Sequence, residues 1–130
     1  GLNSREWIYV EDHCEALFKI LKKGKIGSTY NIGSGKNLNN IQISKNILNV
    51  AKKYIKLQAK TKIIFVKDRP GHDFRYAMDI SKIKQELGWI PQKSFDQGLL
   101  ETVKWYRQNT QWLETIINGE YKDFYKEQYQ

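Results

Sequence analysis

Apolar and polar positions along the 130 residues alternate between two rhythms. Cys14, Leu17, Phe18 and Leu21 recur at i, i+3, i+4 and i+7, the spacing of one helical face. Asp12 stands where a helix cap belongs, and Lys22, Lys23 and Gly24 suit the far end. A second helix follows from Asn40, with Ile43, Ile47, Val50, Ala51, Tyr54 and Ile55 as its inward stripe. Ser81 opens a short helix with Ile83 and Leu87 inward, closed by Gly88. Ser94 and Gln97 carry the spacing of a capping box ahead of Leu99, Val103 and Tyr106. Thr110 caps a last helix holding Leu113, Ile116 and Ile117. Between these lie short runs of strand formers at 6–10, 29–32 and 62–67, and a brief one at 76–78.

The pattern predicts an α/β chain, mostly helical, with about five helices and three or four short strands. So few strand residues rarely build a self-sufficient sheet. The strands read as pieces that extend or cover a larger body, and the chain as part of a longer one. Neither a repeat nor an internal domain boundary appears. The tail from Tyr121 to Tyr129 is too aromatic for a linker and is expected to pack on something.

Composition narrows the classes. The chain is 40% hydrophobic and 28% charged, as suits a soluble surface over a core. No run approaches the ~18 apolar residues of a membrane helix. The start lacks a basic stretch followed by a long apolar one, and Cys14 is the only cysteine, so a reducing cytoplasm is expected. One cysteine and two histidines also speak against a structural zinc site. The net charge of +8 invites nucleic acid, but its lysines lie on predicted helix faces and no recognition motif accompanies them. A solvated surface is the better reading.

Candidate chemistry concentrates in Asp68-Arg69-Pro70-Gly71-His72-Asp73, directly after the apolar run at 63–66. Pro-Gly makes a turn, so these charges land on a loop at a strand end, where binding groups are usually placed. Arginine offers a planar fork matched to phosphate. Arg5 precedes the first strand, and Asn40 stands at a helix start, where free N–H groups attract anions. If Arg5, Asn40 and Arg69 converge, they form a phosphate clamp; otherwise they are unrelated surface residues. His72 either hydrogen-bonds a ribose or phosphate or pins the loop, and Arg75 and Asp79 read as charge pairs around it. Gly33-Ser34-Gly35 lacks the rest of a nucleotide loop and reads as a turn. Asp12-His13 reads as a cap and first turn before it reads as an acid–base pair. No catalytic triad has a spacing signature here.

A resemblance adds to this. Arg5-Glu6-Trp7-Ile8-Tyr9-Val10-Glu11-Asp12-His13, Thr29-Tyr30-Asn31-Ile32-Gly33, the block 68–73 with Arg75-Tyr76-Ala77, Leu87-Gly88-Trp89 with Pro91, and Thr102-Val103-Lys104-Trp105-Tyr106 resemble the dTDP-glucose 4,6-dehydratase family of extended short-chain dehydrogenase/reductases. The resemblance runs over nearly the whole chain but implies only the C-terminal, nucleotide-sugar-binding portion, residues 1–130 forming that domain. The family's NAD-binding Rossmann half, its Tyr-x-x-x-Lys pair and its dehydration residues are absent from this sequence, so no catalytic residue carries over and no cofactor is expected to bind this chain alone. By resemblance, Arg5, Asn40 and Arg69 hold the diphosphate of a dTDP-sugar, His72 lies beside the nucleoside, and Tyr129 approaches the nucleotide. In the complete enzyme the resemblance implies an NAD-dependent lyase and homodimer of deoxysugar synthesis. Sugar C4 is oxidised with NAD as hydride acceptor, water leaves across C5 and C6, and the hydride returns to C6, giving dTDP-4-keto-6-deoxyglucose. Another nucleotide-sugar epimerase or dehydratase, or a truncated non-catalytic binder, stays open as an alternative.

Overall fold

The computed structural model describes residues 1–68 and 70–118. The elements are β1 Ser4–Glu6, α1 Val10–Lys23, β2 Asn37–Asn39, α2 Asn40–Tyr54, α3 Ser81–Leu87, α4 Phe95–Gln108 and α5 Thr110–Asn118. All five expected helices form. Two of their ends follow the sequence signals closely. Ser94 and Gln97 make a reciprocal capping box on α4, and Gly88 closes α3 in the left-handed region at φ 61°.

The strands differ from expectation. Among the described residues only β1 and β2 pair, antiparallel, with Arg5 opposite Leu38. The expected strand at 6–10 lies further upstream, and Val10 already begins α1. Residues 29–32 and 62–67 form no strand; Tyr30 and Ile32 pack on the core instead, while Ile64, Phe65 and Val66 are exposed. Strand formers without a lateral neighbour have nothing to bond to, so propensity alone does not make a ladder. The segment at 74–78 runs beside β1: Ser4 N–H donates to Phe74 O at 2.8 Å and Tyr76 N–H to Ser4 O at 3.1 Å. It contributes a single parallel bridge, Ser4 to Arg75.

The core is small. Ala16, Ile83 and Trp89 are fully buried, with Ile8, Ile20, Tyr30, Ile32, Ile80 and Leu87 against them. Helix α1 therefore turns an unexpected face inward. Asp12, Ala16 and Ile20 point to the core, while Cys14, Leu17, Phe18 and Leu21, the expected stripe, are exposed. Asp12 is not the cap of α1 either; Tyr9 holds that position without a side-chain bond. Asp12 is 4% exposed and accepts from Gln92 N–H at 3.0 Å and Lys93 N–H at 2.9 Å. It thus ties the start of α1 to the loop before α4. Among the described residues Asp79 pairs with no arginine. Its Oδ1 accepts from Ser81 N–H at 2.8 Å at the start of α3, and the Ser81 hydroxyl, together with that backbone bond, holds its carboxyl below the usual range. No helix of the described residues is long and apolar enough to cross a membrane.

Candidate functional site

The Pro-Gly loop returns to β1. Gly71 takes φ 67°, the left-handed position that glycine fills in a tight turn after proline. This brings His72 against Arg5, two of the expected site residues. Arg5 Nη2 lies 2.8 Å from His72 Nε2 and donates to Asp73 O at 2.7 Å. Its Nη1 donates to Ser4 O at 2.6 Å and, more weakly, to Phe74 O at 3.4 Å. The guanidinium stacks over the Tyr76 ring, 4.3 Å from its centroid, a cation–π contact that fixes its plane. The Tyr76 hydroxyl in turn donates to Asp73. On the other side of the imidazole, His72 Nδ1 lies 2.5 Å from Asp68 Oδ1, and Asn3 Nδ2 donates to Asp68 Oδ2 at 3.1 Å.

Asn40 stands close by, one residue into α2. Its backbone N–H donates to Asn3 O at 2.9 Å, and Ile41 N–H to Gly1 O at 3.0 Å. Asn39, not Asn40, caps the helix, in a second capping box with Gln42. The first-turn amides are thus spent on the protein, and the expected helix-terminus grip on an anion has no open backbone donor at Asn40, Ile41 or Gln42. Arg69 and Tyr129 lie outside the described residues. The arrangement is a ledge of one stacked arginine, one imidazole held by the Asp68 carboxylate, and an asparagine at a helix start, with the Asp73 carboxylate on Tyr76 beside it. Its guanidinium is the group suited to an anion.

Glu6 is a residue the sequence reading missed. Its Oε2 accepts from Gly35 N–H at 3.2 Å and its Oε1 from Met78 N–H at 2.9 Å. The turn at Gly33-Ser34-Gly35 thus holds the protein's own carboxylate rather than a phosphate. A Cβ on Gly33 would crowd Glu6 Oε2 and stand 3.1 Å from Met78 Cβ, so a side chain there would displace the Glu6 carboxylate.

A second feature was also missed. An apolar groove of about 600 Å³ opens between residues 7–11, α2, α4 and α5, lined among others by Trp7, Tyr9, Ile47, Leu99, Trp105 and Trp112. Trp105 meets Trp112 edge to face at 5.1 Å and Tyr106 at 5.3 Å. Gly98 lets α4 approach Tyr9 closely, since a Cβ there would stand 3.0 Å from the Tyr9 Cβ. Lys93 lies on the rim with Nζ 2.5 Å from Glu101 Oε1. That bond raises the Lys93 ammonium above its ordinary range and holds Glu101 below its own. Desolvation, then a hydrogen bond with Glu101, raises the Tyr9 hydroxyl. The aromatic spacing across α4 and α5 was visible in the sequence, but not that two helices would face it to one groove.

The family model described as GDP-mannose 4,6 dehydratase matches residues 1–102. The dTDP-glucose 4,6-dehydratase of Shigella flexneri is 41% identical over 132 residues, covering 100% of this chain and 37% of that protein. Among solved structures, the dTDP-glucose 4,6-dehydratase of Bacillus anthracis in complex with NAD superposes with a TM-score of 0.74 at 41% identity, over 86% of this chain and 34% of that one. The Bordetella bronchiseptica enzyme WbmF, in complex with NAD+ and UDP, gives a TM-score of 0.74 at 26% identity, over 95% of this chain and 34% of that one. The chain spans little more than a third of the length of the relatives it matches.

Proposed function

The chain belongs to the GDP-mannose 4,6 dehydratase family, and from that premise we propose that it is the C-terminal, nucleotide-sugar-binding portion of a dTDP-glucose 4,6-dehydratase. The observation that carries this reading is His72 and Asp73 folded onto Arg5 within a chain 41% identical, over its whole length, to a part of such an enzyme. On this reading Arg5, Asn40 and Arg69 hold the diphosphate, with His72 and Tyr129 toward the nucleoside. The residues of this chain grip the handle of the substrate, and that remote grip keeps the sugar oriented while dTDP-glucose is converted to dTDP-4-keto-6-deoxyglucose.

NAD serves as hydride carrier in this reading. These 130 residues contain neither a G-x-G-x-x-G turn nor a Tyr-x-x-x-Lys pair, so they do not fit as its site, and the cofactor belongs to residues outside them. The exposed stripe of Leu17, Phe18 and Leu21 supports a second body beside this one, since apolar helix faces are normally covered.

A titration of the protein carrying this chain with dTDP, UDP and GDP tests the assignment. Preference for dTDP, lost in Arg5→Ala, is the expected result. Preference for UDP or GDP favours a different nucleotide-sugar enzyme, a reading that the likeness to WbmF keeps in view. Equal affinity of the Arg5→Ala protein sinks the clamp.

A further inference from the structure

We propose that Asp68 sets the tautomer of His72 and through it aims the guanidinium of Arg5, which makes Asp68 and His72 positioning residues for the anion site. The inference rests on the reading of Arg5 as an anion-binding group. A guanidinium has five N–H donors and no acceptor, so at 2.8 Å the Nε2 of His72 must be the acceptor and carry no proton. The ring proton therefore sits on Nδ1 and is donated to Asp68 Oδ1 at 2.5 Å. Asn3 Nδ2 lies 3.4 Å from that same Nδ1, but its donor goes to Asp68 Oδ2 at 3.1 Å. Asp68 thus receives from Asn3 and from His72, one on each oxygen. A doubly protonated imidazole does not suit this geometry, because it sets two donors and two positive charges against each other at the Arg5 contact.

The consequence is directional. Arg5 Nη2 is steered by two acceptors, His72 Nε2 and Asp73 O, while Tyr76 holds the plane from below. If the His72 proton moves to Nε2, one steering acceptor becomes a donor and the fork turns away.

Asparagine at position 68 can present its amide N–H to Nδ1 and so shift the proton to Nε2. Nitrogen NMR of the full-length protein labelled at histidine reads the tautomer directly, with the His72 signal assigned by its loss in His72→Gln; His13 is the other imidazole of these 130 residues. The expected result is a proton on Nδ1 of His72 in the parent and on Nε2 in Asp68→Asn. The affinity for dTDP should fall about tenfold in Asp68→Asn. In a His72→Gln background, where the side-chain carbonyl still accepts from Arg5, the same Asp68→Asn change should cost less than about twofold. A proton on Nε2 in the parent, an unshifted tautomer in Asp68→Asn, or an equal loss in both backgrounds overturns the proposal. If the parent binds no dTDP but the tautomer shifts as expected, the steering stands and the anion reading of the site fails.

Discussion

Replacing Asp12 by asparagine should destabilise the chain by about 2–4 kcal/mol. The carboxylate sits 4% exposed in the first turn of α1 and accepts two backbone N–H groups, from Gln92 and Lys93, at 3.0 and 2.9 Å. Breaking one hydrogen bond to a charged acceptor, its buried donor left unpaired, costs about 1.5–3 kcal/mol. Asparagine keeps one acceptor oxygen and turns an amide N–H toward the other donor, so one bond is lost and one donor orphaned. The lost negative charge at a helix N-terminus adds about 0.3–1 kcal/mol. Asp12→Ala removes both acceptors and should cost more, about 3–5 kcal/mol. Urea unfolding followed by tryptophan fluorescence measures the shift in midpoint at constant slope. Hydrogen exchange across residues 90–94 reads the same contact locally, and protection of the Gln92 and Lys93 amides should fall. Glu15→Gln, which breaks only the exposed pair with Lys19 at 3.4 Å, serves as the control and should change stability by under about 0.5 kcal/mol. An Asp12→Asn midpoint no lower than that control's, with protection at 92 and 93 intact, refutes the anchoring role.

Gly33→Ala should cost about 1–3 kcal/mol, because the new Cβ would crowd Glu6 Oε2 and that carboxylate is held by two backbone donors; an unshifted melting curve contradicts this. The Lys93–Glu101 bond should lend stability across neutral pH. Glu101 is held below its ordinary value, so its share is present above that value and is lost as pH falls through the lowered one; Lys93 and Tyr9 are raised, so theirs vanish only as pH climbs through their raised values. The stability difference between the parent and Glu101→Gln should therefore be flat near neutrality and shrink in strong acid, and a difference that grows in acid rejects the pairing. The isolated chain should self-associate through the exposed Leu17, Phe18 and Leu21 of α1, and Leu17→Lys with Leu21→Lys should shift sedimentation toward monomer; a monodisperse monomer without those changes refutes the stripe as an interface.

Local chemistry was legible in the sequence, and neighbours were not. The Ser94–Gln97 box and the Gly88 stop depend on residues a few positions apart, and both appear as expected. The Asn39–Gln42 box carries the same spacing and was overlooked for Asn40, one position along. Periodicity marked Cys14, Leu17, Phe18 and Leu21 as a face that avoids water, but period does not say which body covers it. Here that face is open and the small Ala16 meets Trp89 and Ile83 instead. The strands failed for a related reason. Ser4-Arg5-Glu6 and Asn37-Leu38-Asn39 read as polar, yet they pair because each finds the other, while the apolar run at 62–67 finds no partner among the described residues.

The same division runs through the site. Residue type singled out Arg5 and His72 as candidates for an anion site, since a guanidinium and an imidazole can both serve a phosphate at a loop end. Geometry adds that both are already engaged. Every terminal N–H of Arg5 has an acceptor in the protein, the weakest at 3.4 Å, and the α2 amides are spent on Asn3, Gly1 and Asn39. An incoming diphosphate must therefore offer more than it displaces. A doubly charged acceptor can do so against neutral carbonyls, because charge-assisted bonds are roughly twice as strong as neutral ones. A neutral sugar hydroxyl cannot. If Arg5 is the anion-binding group proposed above, its internal bonding would work as a filter, closed to uncharged ligands and open to an anionic one.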